Sequence, residues 1–122
     1  MKIIGKNPIT GLDYPDPDVI RVDDTYYMVS TTMHFVPGCE ILRSYDLVHW
    51  EHLSYVYERL DSTEEQRLVG EKNCYGKGMW AASLRYHKGM YYICFVANDT
   101  GKTYLYTADT VSYTHLTLPT IA

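Results

Sequence analysis

The chain has 122 residues, a formal charge of -4, and 46% hydrophobic and 21% charged residues. That suits one small globular domain, and the acidic balance argues against a nucleic-acid partner. No run of 18 apolar residues exists and the opening MKIIGKNPI lacks the apolar core of a secretory signal, so no membrane partner and a cytoplasmic location are expected.

β-Branched and aromatic residues flanking a turn predict strands in chain order. DVIRV (18–22), an Asp23-Asp24 turn and TYYMVST (25–31) predict a hairpin, followed by strands at EILRS (40–44) and WEHLSYVY (50–57). Residues 58–79 are polar, hold three glycines, and predict a connecting loop with a helical turn over 62–68. Three more strands follow at WAASLRYH (80–87), MYYICFVA (90–97) and residues 102–107, joined by turns at Lys88-Gly89 and NDTG (98–101). The chain is read as all-β.

The halves repeat. Arg21 and Asp24-Thr25-Tyr26-Tyr27 correspond to Arg85 and Gly89-Met90-Tyr91-Tyr92, and Leu42-Arg43-Ser44-Tyr45-Asp46 corresponds to Leu105-Tyr106-Thr107-Ala108-Asp109. A four-stranded unit used twice is the pattern of a β-propeller, whose blades bury their faces against neighbours. Two blades cannot close a ring, and alone they leave edges and faces open to aggregation.

The first unit continues to Trp50, but the second runs past Asp109 into VSYTHLTLPTIA (111–122) with no matching tryptophan. Val111 to Thr120 is the translation of GTC TCT TAT ACA CAT CTG ACG CTG CCG ACG, which resembles a transposon-end sequencing adapter. Residues 1–110 are therefore taken as the native N-terminal part of a propeller, and 111–122 as adapter-derived; a genuine strand at Thr-His-Leu-Thr-Leu is the lesser alternative.

Thirteen tyrosines and two tryptophans suit strands and also sugar-binding clefts, where a ring face meets C–H groups and a hydroxyl meets a polar partner. Cys39, Cys74 and Cys94 are odd in number and widely spaced, so they predict packing thiols rather than disulfides or zinc ligands. His49, His52 and His87 fall on strands or turns without metal-ligand spacing.

In LDYPDPDVIRV (12–22), Asp13 reads as a turn residue, and Asp18 as a strand opener bonding nearby backbone N–H groups. Asp16 lies between Pro15 and Pro17, which restrict its backbone and lower the entropy cost of holding one carboxylate in one direction. A general base needs such fixity, although an Asp-Pro-Asp stretch by itself is more often a turn.

NPITGLDYPDPDVIRVDDTYYMVSTT, FVPGCEILRSYDLVHW and GKGMWAASLRYHKGMYYICFV together resemble the N-terminal part of glycoside hydrolase family 43, over residues 6–109. The resemblance implies the first two blades of a five-bladed propeller whose members remove xylose or arabinose from plant polysaccharides. It implies that Asp16 is the general base of an inverting hydrolysis, with the general acid and the carboxylate that tunes it on later blades. The partner implied is a pentose-containing oligosaccharide or polysaccharide.

Trp80 in GMWAAS matches the tryptophan of a Gly-x-Trp-Ala-Pro motif lining the substrate site; Ala82-Ser83 stands where the family has Pro-His, so no contact from that histidine is carried over. Phe35 matches an aromatic against the terminal sugar. Met33 and His34 are alternatives, because this loop is one residue longer than STFEWFPG. For each the competing role is core packing, and for His34 also a loop imidazole bonded to backbone. Some members hold a calcium ion in the channel, but no residue here indicates one, so no cofactor and no metal site are predicted. None of Glu40, Glu51, Glu58, Glu64, Glu65 and Glu71 resembles the family's acid, and most are expected to be solvated surface charge. The expectation is part of an exo-acting β-xylosidase or α-L-arabinofuranosidase, inactive as this piece; a non-catalytic glycan- or protein-binding propeller is the alternative.

Overall fold

In a computed structural model, which describes residues 5–111 and the backbone of Thr120–Ile121, the apolar and aromatic runs pair into two four-stranded antiparallel sheets. The first contains Asp18–Val22 (β1), Thr25–Val29 (β2), Gly38–Ser44 (β3) and Glu51–Tyr57 (β4). The second contains Met79–His87 (β5), Met90–Ala97 (β6), Lys102–Ala108 (β7) and Thr120–Ile121 (β8). Each sheet runs in simple sequential order, as in a propeller blade.

Local chemistry sets the turns. Lys88 and Gly89 both take positive φ, 47° and 81°, which matches the twist of the β5–β6 hairpin. Between β3 and β4, Asp46 Oδ1 accepts from the N–H groups of Val48 and His49, at 2.9 and 2.8 Å, while Oδ2 pairs with His49 Nδ1 at 2.6 Å. The His49 ring and these backbone donors hold the Asp46 carboxyl well below the usual carboxylate range.

The core lies between the sheets. Val29, Cys39, Ile41, Val56, Tyr57 and Leu60 from the first half meet Met79, Leu84, Ile93, Phe95, Tyr104 and Tyr106 from the second. Phe95 is the hub of an aromatic group, with ring centroids 5.6 Å from Tyr57, 5.5 Å from Tyr104 and 5.7 Å from Tyr106. Many of the tyrosines are thus interblade packing, as strand-rich composition suggests. Burial pushes the Tyr106 hydroxyl up to about 12, with smaller contributions from Asp61 and Cys39.

Asp18 departs from expectation. Rather than capping its own neighbourhood, its Oδ2 accepts from the Leu84 N–H at 2.8 Å and from Arg85 Nη1 at 2.7 Å, both on β5. One carboxylate oxygen therefore ties the innermost strands of the two blades together.

One further expectation changes. β2 ends at Val29 rather than residue 31, because Ser30 and Thr31 turn their hydrogen bonds to the Pro15-Asp16 segment. The helical turn expected over residues 62–68 is present as a single turn, in which the Arg67 N–H donates to the Thr63 carbonyl at 3.0 Å. A tertiary bond anchors it: Gln66 is buried and its Nε2 donates to Asp99. Most of the six glutamates are exposed as expected; Glu40 is only partly so, and its Oε1 meets His52 Nδ1 at 2.9 Å.

Residues 112–119 and 122, most of the segment expected to be adapter-derived, lie outside the described residues, as does the Thr-His-Leu-Thr-Leu alternative. Val111 is buried and its carbonyl accepts from Ser54 Oγ at 2.7 Å, and β8 pairs with β7 through Tyr104↔Thr120 and Thr103↔Ile121.

Candidate active site

The β1–β2 register pairs Asp18 with Val29, and carrying it two residues past the ladder sets Asp16 opposite Thr31. There the strands exchange backbone pairing for side-chain bonds. The Pro15 carbonyl accepts from the Thr31 N–H at 3.0 Å and from Ser30 Oγ at 2.6 Å. Thr31 Oγ1 donates to Asp16 Oδ2 at 3.0 Å.

Asp16 itself has φ 48°, in the left-handed region. Proline disfavours helical conformations in the residue before it, so this is an unusual backbone for a residue preceding Pro17. A non-glycine residue with positive φ is strained, though aspartate tolerates it better than most, and such strain persists only where surrounding bonds fix it. Here the bonds from Ser30 and Thr31 do so. The Asp16 side chain is exposed, so its carboxylate is held from one side and open on the other.

The second blade enters through a β-bulge. Trp80 pairs with Val96 but Ser83 with Cys94, so β5 carries one extra residue between them, and Ala81 takes φ 47° there. The bulge leaves Trp80 and Ala81 both on the exposed side, with Trp80 41% accessible. It also sends the Ala81 N–H to Thr31 Oγ1 at 2.8 Å. Asp16 and the Trp80 segment are thereby joined through one threonine hydroxyl.

The loop 32–37 forms the adjoining wall. Met33 and Met79 pair by backbone hydrogen bonds of 3.0 and 3.2 Å, an approach that depends on Gly78: a Cβ there would lie 2.2 Å from the Met33 carbonyl oxygen. This is the physical reason for glycine two positions before Trp80. Phe35 is 68% exposed at the loop tip, its ring centroid 4.4 Å from that of His34, which lies 4.7 Å from Tyr75. Among the described residues the imidazole of His34 has no hydrogen bond to backbone, and its Nδ1 is buried without a partner. The His34 carbonyl instead faces the Cys74 thiol at 3.8 Å.

A cavity of about 580 Å³ opens between this loop and residues 13–15, lined by Tyr14, Thr31, His34, Phe35, Glu40 and Tyr55 among others. Asp16 and Trp80 are not part of its wall, although Pro15 and Thr31, which hold Asp16, are. The structure therefore joins Asp16 and the Trp80 strand by hydrogen bonds, and groups His34 with Phe35 beside them. Among the described residues no three His, Cys, Asp or Glu side chains converge as metal ligands would.

Sequence reasoning missed Thr31, Ala81 and Gly78. For Thr31 the signal was present: Asp16 and Thr31 are equidistant from the Asp23-Asp24 turn. For Ala81 there was none, because the bulge that aims its N–H has no composition signature.

Comparison with known proteins adds the family context. The profile described as Glycosyl hydrolases family 43 matches residues 5–116. A β-xylosidase from Formosa agariphila is 42% identical over 86 residues, 70% of this chain and 14% of that protein. A non-reducing end α-L-arabinofuranosidase from Bacteroides ovatus is 39% identical over 89 residues, 72% of this chain and 16% of that protein. Among solved structures, a bifunctional GH43-CE protein from Bacteroides eggerthii superposes with a TM-score of 0.92 at 43% identity, covering 97% of this chain and 15% of the other. Xylan β-1,4-xylosidase from Bacillus halodurans gives 0.75 at 29% identity, covering 95% and 23%. The chain thus spans about one seventh of the length of the first of these relatives.

Proposed function

The chain belongs to glycosyl hydrolases family 43, and from that premise we propose that it contributes the general base and part of the sugar site to an inverting exo-glycosidase that removes terminal xylose or arabinofuranose. The observation that carries this reading is the Asp16 carboxylate: exposed, fixed at φ 48° and held through one oxygen by Thr31. A base must be pointed at one water without being consumed by its own hydrogen bonds, and Asp16 has that arrangement.

In this reaction Asp16 draws a proton from a water as that water attacks the anomeric carbon, on the face opposite the leaving oxygen. A carboxylic acid about 6.5–9.5 Å away protonates the leaving oxygen, the separation leaving room for the water. We assign that acid, and the carboxylate that tunes it, to polypeptide outside these two blades. Glu40 is engaged with His52. Trp80 offers its exposed face to a sugar, and Phe35 with His34 forms the wall of the terminal subsite. The names of the β-xylosidase and arabinofuranosidase relatives support a pentose substrate.

The test is Asp16→Asn in the complete protein carrying these blades, assayed on p-nitrophenyl β-D-xyloside and α-L-arabinofuranoside. Turnover is expected to vanish while the melting profile is retained. Near-normal turnover in that variant excludes Asp16 as the base, whereas no turnover by the unsubstituted complete protein favours a propeller that only binds its glycan. The 122-residue chain by itself is expected to show no turnover.

A further inference from the structure

We infer that Thr31 is a positioning residue for Asp16, and that the second blade sets the direction of its hydroxyl; the inference rests on the assignment of Asp16 as base. Thr31 is buried at 7% accessibility, and its Oγ1 lies 2.8 Å from the Ala81 N and 3.0 Å from Asp16 Oδ2. These two contacts determine one another. An amide N–H can only donate, so Oγ1 must accept from Ala81, and the hydroxyl proton is left to go to the carboxylate. A threonine without the Ala81 contact could turn its proton elsewhere.

The consequence for Asp16 is geometric. Its Oδ2 is occupied by a charge-assisted hydrogen bond, which is stronger and more directional than one between neutral groups. Oδ1 makes no hydrogen bond to the described residues and is the oxygen presented to water. The backbone of the same turn is fixed by Thr31 as well, through its N–H to the Pro15 carbonyl. Thr31 thus sets both the conformation of the turn and the rotation of the carboxylate. The Ala81 N–H reaches it because the bulge in β5 turns that residue out of the ladder. In this way the interblade register is transmitted to the reacting group.

The experiment compares Thr31→Val, which keeps the shape and removes the hydroxyl, with Thr31→Ser, which keeps the hydroxyl, in the complete protein on a p-nitrophenyl pentoside. For Thr31→Val, kcat is expected to fall about ten-fold to about a hundred-fold, the scale at which a displacement of about 1 Å acts on a reacting group. KM should stay within about two-fold, because the side chain acts on the base rather than on the sugar. Thr31→Ser should restore kcat. A merely structural threonine would lower the melting temperature in both variants without this division between kcat and KM. Normal kcat in Thr31→Val overturns the inference, as does a loss in Thr31→Ser equal to that in Thr31→Val. Should Thr31→Val not fold, Thr31→Ser still decides, since a ten-fold loss of kcat with the hydroxyl present refutes the role. The base assignment fails separately: an active Asp16→Asn removes it, whereas an inactive Asp16→Asn beside a normal Thr31→Val removes only the role of Thr31.

Discussion

Gly78→Ala perturbs the wall of the site through a single methyl group. Gly78 has φ 87°, and an added Cβ would meet the Met33 carbonyl oxygen at 2.2 Å and its carbon at 2.9 Å. Both are backbone atoms, so the clash cannot be relieved by a rotamer change. The left-handed conformation costs an alanine about 1–2 kcal/mol. Moving Met33 away breaks its two backbone hydrogen bonds to Met79, each worth about 0.5–1.5 kcal/mol. Together these give a destabilisation of about 2–5 kcal/mol. Gly76 provides the control: φ is 70° but nothing lies within 4 Å of its Cβ position, so Gly76→Ala carries the conformational cost alone, about 1–2 kcal/mol. Urea denaturation of the two variants in the complete protein measures the difference. Equal destabilisation of the two would refute the claim that close approach of the Met33 loop, rather than backbone freedom alone, requires glycine before Trp80.

Two further outcomes are expected. Trp80→Ala should weaken saturation by a pentoside by about 1–3 kcal/mol, read as a raised KM; an unchanged KM would assign the exposed ring to packing. The stability contributed by the buried Tyr106 hydroxyl should be fully present below pH 10, the ordinary tyrosine value, and be lost as the pH rises towards about 12, because Tyr106 resists ionisation in the folded state while the unfolded chain gains it freely. Burial acts in the same direction on Tyr57, Tyr91 and Tyr104. Denaturation midpoints followed across that interval test the sign; a midpoint independent of pH there would contradict the burial of these hydroxyls.

Strand positions were legible because period-two patterning and turn residues are local properties. β1 and β6 fall on Asp18–Val22 and Met90–Ala97 as expected, and the repeat between the halves forecast that β5–β6–β7 would pair in the order of β1–β2–β3. The departures share a cause. At Ser30 and Thr31 and at Asp18, tertiary hydrogen bonds replaced what local propensity favours. Pro-Asp-Pro announced a restricted aspartate, but neither proline could announce φ 48°, which depends on donors from the far side of the hairpin. Trp80 was legible as a motif residue; the extra residue that exposes it together with Ala81 was not, since a bulge arises from pairing with β6 rather than from β5 alone.

Asp18 sits two positions beyond Asp16, and its partners at Leu84 and Arg85 lie 66 and 67 residues further along the chain. A ribosome must therefore release the start of the second sheet before Asp18 can acquire its partners. Until then the first hairpin can assemble and Ser30 and Thr31 can hold its leading end. The fastening of one sheet to the next is in this sense deferred during synthesis, and a nascent polypeptide halted before residue 84 would lack that tie.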